Sequence, residues 1–81
     1  MLNVVKEAID YYDPCGLLNI GAPEGEYLME AKLIRDAIMT NGLIKLKETI
    51  IKTFNDTLGE TIEETVAINV TNRIMTGLSI K

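Results

Sequence analysis

The sequence contains no histidine and no tryptophan, and its only cysteine is Cys15. Without histidine the chain lacks the commonest general base, the usual nitrogen ligand of zinc and any histidine-based catalytic triad. A lone cysteine cannot form an intramolecular disulfide, and here it lacks the base that usually activates a catalytic thiol. We therefore expect Cys15 to be an ordinary loop thiol in a reducing compartment, and we expect no enzymatic activity.

Basic residues are absent between Lys6 and Lys32, in a chain with eight Lys and Arg against twelve Asp and Glu. The net charge of −4 argues against a nucleic-acid partner, because phosphate binding needs clustered cations. The acids of this lysine-free stretch are Glu7, Asp10, Asp13, Glu24, Glu26 and Glu30. Two interpretations stay open: an ordinary solvated surface, or an acidic face that meets a basic partner.

Long uncharged runs are also missing. No uncharged segment approaches the roughly 18 residues that a membrane span requires. Glu7 and Asp10 interrupt the start of the chain, where a secretion signal would place apolar residues. We therefore expect no membrane partner and a cytoplasmic location.

What the sequence does contain is a 47% apolar share, carried mainly by Ile, Leu, Val and Met at helical spacing. Its length of 81 residues is that of one domain, residues 1–81. The spacing predicts an all-α, compact four-helix arrangement with an ordered loop at 13–25. The predicted helices cover about 2–12, 24–40, 43–58 and 61–76.

Helix ends are marked by residues that favour caps and turns. The stop signals are Asp13-Pro14, Asn41-Gly42, Gly59 and Gly77. Thr61 and Glu64 have the spacing of a capping box, which predicts that Thr61 caps the fourth helix. The β-branched residues of 65–71 leave a strand as the alternative there. We favour a helix, because of this cap and because no partner strand is visible elsewhere.

The 13–25 connection holds both prolines and three of the six glycines. It also holds Leu17, Leu18 and Ile20, which a freely solvated linker would not keep, so we expect them to pack on the core. Helical phase places Tyr12 and Tyr27 inward and Tyr11 outward.

Candidate site residues lie around this loop. Tyrosine is enriched in interface hot spots, so we predict a partner-binding patch that combines a tyrosine with acids. Its predicted members are Tyr11, Asp13, Glu24, Glu26 and Glu30. The glutamates could alternatively bind a hard cation, although the regular spacing of a calcium loop is absent. No cofactor is predicted.

The motifs Asp13-Pro14-x-Gly16-Leu17-Leu18 and Gly21-Ala22-Pro23-Glu24-x-Glu26-Tyr27 resemble those of small bacterial helical proteins, domain-of-unknown-function family 1871. The resemblance covers residues 12–34 and is general beyond them. Gly25 and Leu28 stand where the family commonly has acids, which weakens any cation role for the loop. The resemblance implies an all-helical fold and a bacterial, cytoplasmic origin, and it implies no particular activity.

Three functional hypotheses follow. The first is an acidic binding module that neutralises a basic protein partner, as the immunity protein of a bacterial toxin does. The second is a structural or regulatory homo-oligomer, since exposed apolar side chains in a small chain can be covered by a second copy. The third is a small metal-binding protein that uses the loop carboxylates.

Overall fold

The computed structural model describes residues 1–17, 20–21 and 24–79, and within this part the chain is all-α. Its helices are α1 (Leu2–Tyr12), α2 (Leu28–Asn41), α3 (Leu46–Leu58) and α4 (Glu64–Ser79), with a short 3-10 helix at Glu24–Tyr27. The predicted four-helix arrangement is confirmed, and no strand occurs in the described ranges. Residues 65–71 lie within α4, so the strand alternative is wrong.

The four helices pack in a closed ring. Helix α1 packs against α2 and α4, and α3 packs against the same two helices. The ring encloses one apolar core. The molecule measures 32 × 24 × 21 Å along its principal axes. Among the described residues, no helix combines the length and the apolar character needed to cross a bilayer.

The core is built from the stripes that helical spacing predicts. Each helix contributes residues three or four positions apart, which lie on one face. The buried apolar residues are Val5, Ala8, Ile9, Tyr27, Ala31, Ile34, Ile38, Leu46, Ile50, Phe54, Ile62, Ala67, Val70 and Ile74. Two expectations about the edge of this core are wrong: Leu33 is 45% exposed and Ile20 is 77% exposed. Leu17 packs against the core as expected, whereas Leu18 lies outside the described residues.

Two helix starts differ from the prediction. Glu24–Tyr27 forms a 3-10 turn, and the α-helix begins at Leu28 rather than at residue 24. Helix α3 begins at Leu46 rather than at residue 43, because Gly42 takes a positive φ of 76° and the chain then turns before entering the helix. The Leu46 N–H still donates to the Leu43 carbonyl, at 3.3 Å.

The start of α4 also differs, because residues 61–63 are not helical and Thr61 is not the cap. The first carbonyl of the helical pattern is that of Glu63, which accepts the Ala67 N–H at 3.0 Å. The Glu64 carboxylate accepts from Lys47 of α3 instead of reaching back to Thr61. Ile62 is buried in the core, so the connection is held by packing rather than by the predicted capping box.

The predicted stop at Gly77 is wrong, because α4 continues to Ser79. Gly77 faces α1, and a Cβ atom placed on it would lie 2.6 Å from Cγ1 of Val4. The residue therefore permits the close approach of α1 and α4. By contrast, Gly59 does end α3, in a left-handed conformation with φ 67°.

Candidate interaction site

Tyr11 lies near the end of α1, and its side chain is 62% exposed. The guanidinium carbon of Arg73, on α4, lies 3.7 Å from the centre of the Tyr11 ring. This distance is that of a close cation–π contact, which attracts the cation to the ring face. The tyrosine ring is therefore held in place on the surface, although most of it remains accessible.

Glu7 also binds Arg73. The Arg73 Nε atom donates to Oε1 at 3.0 Å, and Nη2 donates to Oε2 at 2.8 Å, which is a bidentate arrangement. Glu7 and Tyr11 are four residues apart on α1, so one arginine reaches both. The hydrogen bonds from Arg73 hold the pKa of the Glu7 carboxyl below its usual value.

A shallow open groove adjoins this cluster, between α1 and α4. It has a volume of about 360 Å³, and its lining residues are Tyr12, Asn69, Asn72, Arg73 and Thr76. Asn69, Asn72, Arg73 and Thr76 follow the spacing of one helix face. Tyr11 and Tyr12 meet edge to face, with ring centres 4.9 Å apart. We call the cluster and the groove together the Tyr11–Arg73 surface; it consists of Glu7, Tyr11, Tyr12, Asn69, Asn72, Arg73 and Thr76.

The chemistry of this surface suits binding. Its amide, hydroxyl and guanidinium groups are hydrogen-bonding groups, and its tyrosine rings supply apolar contact area. Arg73 stays protonated and its charge is balanced by Glu7. The Tyr11–Arg73 surface can therefore bind a partner through directional hydrogen bonds around an aromatic anchor, and its own charges nearly cancel.

A second cluster lies where the 13–25 loop leaves α1, and it holds the loop in place. The hydroxyl of the buried Tyr27 donates to Oδ1 of Asp13 at 2.6 Å. The Tyr27 hydroxyl oxygen also accepts the N–H groups of Cys15, at 3.1 Å, and Leu17, at 3.3 Å. Burial is the main cause that raises the pKa of Tyr27, and the hydrogen bond to Asp13 raises it further. The phenol therefore stays protonated.

Asp13 occupies an unusual backbone conformation at this junction. Its φ of 45° and ψ of 63° are left-handed, and its N–H donates to the Ile9 carbonyl at the end of α1. Aspartate tolerates this region better than most residues. The predicted stop at Asp13-Pro14 is confirmed, with a left-handed turn as its geometry.

The structure disperses the five residues predicted for the partner patch. Tyr11 lies in the Tyr11–Arg73 surface, and Glu26 is exposed on the 3-10 helix. Asp13 is half-buried and engaged by Tyr27, and Glu30 is only 3% exposed. Glu24 begins the 3-10 helix, and its side chain lies outside the described part of the chain.

The acids of the lysine-free stretch are mostly used within the molecule. Glu7 pairs with Arg73, Asp10 pairs with Lys6 at 2.7 Å, and Asp13 accepts from Tyr27. The Oε1 atom of buried Glu30 has no hydrogen-bond partner among the described residues. Within the described ranges, Glu26 is therefore the member of this stretch that is both exposed and outside any ion pair.

Cys15 lies half-buried next to these acids. Burial raises the pKa of its thiol, and the charges of Glu60, Glu30 and Asp13 raise it further. A thiol with a raised pKa carries little thiolate at neutral pH and reacts slowly. No group of three Cys, Asp or Glu side chains in the described ranges is placed to hold a metal ion.

Sequence reasoning missed the α4 half of the Tyr11–Arg73 surface. The polar residues Asn69, Asn72 and Thr76 share a helical face, and that periodicity could have indicated an exposed stripe. Glu7 and Arg73 are 66 residues apart in the sequence, and no local sequence pattern predicts that they form a pair. Only the packing of α4 on α1 brings the two together.

The fold and this surface define an all-α, four-helix protein with a polar and aromatic groove. No family model, curated protein or solved structure matches the chain. Its function must therefore be argued from its own residues.

Proposed function

We propose that this protein is a binding module that holds a protein partner on the Tyr11–Arg73 surface and performs no catalysis. The observation that carries the proposal is the exposed ring of Tyr11, held between Arg73 and the neighbouring Tyr12. Exposed aromatic residues whose position is already set lose little conformational freedom on binding, so they make effective anchors. The adjoining amides supply hydrogen bonds around the anchor.

The partner that we propose is basic, because the chain carries a net charge of −4. Such a charge attracts a basic protein over a distance of about one Debye length, roughly 8–10 Å at physiological salt, and raises the association rate. Exposed acids that form no ion pair within the described ranges include Glu26, Glu48, Glu60 and Glu63. The concrete form of the proposal is neutralisation of a basic protein, as an immunity protein neutralises a toxin.

The resemblance of residues 12–34 to domain-of-unknown-function family 1871 remains part of this proposal and is a hypothesis. It is consistent with an all-helical fold. The single cysteine, which cannot form an intramolecular disulfide, supports a reducing compartment such as the cytoplasm.

The test begins with capture of partners from the source cell, followed by kinetics with the purified partner. Tyr11→Ala should weaken binding at least about tenfold, mainly through faster dissociation, because it removes the proposed anchor. Ile44→Asn is the matched control, since Ile44 is 90% exposed and lies in the turn between α2 and α3. Equal affinity of the wild type and the Tyr11→Ala variant would refute the proposed surface.

The attraction between the acidic chain and a basic partner is tested separately, through the association rate. Glu26→Gln combined with Glu63→Gln should slow association by a few fold and flatten its dependence on salt, with dissociation unchanged. Both residues are exposed, so the fold should be unaffected. If the association rate changes neither with salt concentration nor with these substitutions, the partner is not recognised by its positive charge.

A further inference from the structure

Helix α2 has an outer face that differs from those of α1 and α3. Exposed positions on α1 and α3 are mainly charged or polar, as expected for a surface helix. On α2, three exposed positions carry large apolar side chains: Met29 is 64% exposed, Leu33 is 45% exposed and Met39 is 70% exposed. The helix is consequently the least amphipathic of the four. Large parts of these side chains therefore meet solvent rather than the core.

The charged residues on the same face have a particular order. Lys32 and Asp36 are both exposed, and they are two residues before and two residues after Ile34. Met29 and Met39 are five residues before and five after the same position. Because an α-helix rises about 1.5 Å per residue, each pair is placed symmetrically about the level of Ile34, at about 3 Å and 7.5 Å along the axis.

Positions spaced in this way come opposite one another across a two-fold axis. When a helix packs antiparallel against a copy of itself, each residue meets the residue at the mirror position along the helix. With the axis at the level of Ile34, Lys32 faces Asp36 of the second copy, and this opposite-charge contact occurs twice. Met29 and Met39 of the two copies meet at both ends, and Leu33 widens the apolar area.

We propose that the outer face of α2 is a homodimer interface, in which two copies pack antiparallel about a two-fold axis at the level of Ile34. The charges are available for this contact. Lys32 forms no ion pair within the described ranges. Arg35 approaches only Oδ1 of Asp36, at 2.9 Å, which leaves Oδ2 as an acceptor.

The size of the interface sets its strength. Helix α2 has 14 residues and is therefore about 21 Å long. A single helix face of this length buries less than the roughly 800 Å² per partner of a standard interface. The dimer should consequently be weak, with a dissociation constant in the micromolar range.

The test is sedimentation of the purified full chain across concentrations from low micromolar to several hundred micromolar. The wild type should pass from monomer to dimer over this range. Leu33→Glu should weaken the dimer by more than about tenfold, because it places a charge in the apolar contact. Ile44→Asn, which removes an exposed apolar side chain elsewhere, should leave it unchanged. A wild type that stays monomeric throughout overturns the proposal.

A charge exchange tests the two-fold geometry itself. Lys32→Glu or Asp36→Lys alone should weaken the dimer by roughly tenfold, since each puts like charges opposite one another twice. The double variant restores opposite charges at the same positions and should recover the wild-type dissociation constant. A dimer in which the double variant is no better than the single variants would contradict the antiparallel arrangement. Tyr11→Ala should leave the dimer intact, which separates this result from the proposed partner binding.

Discussion

Tyr27 shows how much one side chain can organise in so small a molecule. Its ring is fully buried and meets Phe54 edge to face, with ring centres 5.8 Å apart. Its hydroxyl simultaneously bonds Asp13 and the backbone of the loop that follows α1. The residue therefore joins the core to the loop, and the left-handed turn at Asp13 is kept in place by the same contact.

We expect Tyr27→Phe to keep the packing of the ring and to lose the three hydrogen bonds. Because two partly buried N–H groups and the Asp13 carboxylate would each lose a hydrogen bond, the free energy of unfolding should fall by about 1–3 kcal/mol. Urea unfolding measures this loss, and amide hydrogen exchange should become faster at Cys15 and Leu17. Tyr11→Phe, which changes an exposed hydroxyl, is the control and should change neither quantity. Unaltered exchange in the Tyr27 variant would mean that the hydroxyl does not hold the loop.

Glu30 is buried, although its position in the sequence indicates an exposed carboxylate. Its position early in a helix, within an acidic stretch, indicates a solvated carboxylate. In the structure it follows the 3-10 turn and lies 3% exposed, next to Ala31 of the core stripe. Glu30 lies four residues before the buried Ile34, so helical spacing places the two side chains on the same, core-facing side of α2.

At the scale of the elements, Gly77 of α4 lies directly against Val4 of α1. Glycine in a helix interior costs about 1 kcal/mol relative to alanine, so its presence there needs a packing reason. The reason is Val4, whose Cγ1 atom occupies the position that a side chain at residue 77 would need. A valine side chain has few rotamers on a helix and cannot move away easily.

Gly77→Ala should therefore destabilise the protein, by about 1–2 kcal/mol, although alanine favours the helix. In a Val4→Ala background the clash is absent, so the same change should instead raise the free energy of unfolding, by up to about 1 kcal/mol. Urea unfolding of the four proteins of this double-mutant cycle measures the coupling. A Gly77→Ala variant more stable than the wild type would show that the two helices can separate at no cost.

The Glu7–Arg73 pair is an ionic contact between these two helices. Its pH dependence follows from the pKa of Glu7, which is lowered from the ordinary value of 4.5 in the folded protein. A lowered pKa in the folded state means that the pair stabilises the fold fully above the unfolded-state pKa. The contribution is lost as the pH falls through the lowered folded-state pKa.

We expect Glu7→Gln to have a lower Tm than the wild type at neutral pH, and the difference to stay constant down to about pH 5.5. Below about pH 4.5 the difference should shrink, because the wild-type carboxyl also becomes neutral. Thermal unfolding followed by circular dichroism across this pH range measures both curves. Glu26→Gln, at an exposed acid outside any described ion pair, should show no such difference. A gap that persists at low pH would assign the effect to packing of the side chain.

At the scale of the whole molecule, the closed ring of helices separates two outer surfaces. The Tyr11–Arg73 surface lies across α1 and α4, whereas the apolar face of Met29, Leu33 and Met39 belongs to α2. Helices α2 and α4 do not contact each other within the described chain. The proposed foreign partner and the proposed second copy can therefore be tested independently on one protein.

Helix existence and core membership were predictable because they depend on local chemistry. Residues such as Ile34 and Phe54 recur every three or four positions, and this spacing alone defines the inward face of an amphipathic helix. The stops at Asn41-Gly42 and Gly59 were predictable for the same reason, since the conformation that they adopt depends on the residue itself. Both glycines take a positive φ.

The start of α4 and the role of Gly77 depend on more than local chemistry. Thr61 and Glu64 are suited to a capping box, but burying Ile62 and pairing Glu64 with Lys47 displace the helix start. Gly77 resembles a helix stop in sequence and serves as a contact point in the fold. In each case a partner from another helix outweighs a local preference worth about 1 kcal/mol.

The candidate site divides along the same line. The periodic placement of apolar residues is a property of the chain itself, and it was sufficient to assign an all-α fold and to direct Tyr11 outward and Tyr27 inward. Which groups meet Tyr11 depends on residues more than sixty positions away, which only the packing of α4 on α1 brings within hydrogen-bonding distance. Pairing across such a separation leaves no pattern in one sequence, because neither helix needs the other's polar residues in order to form.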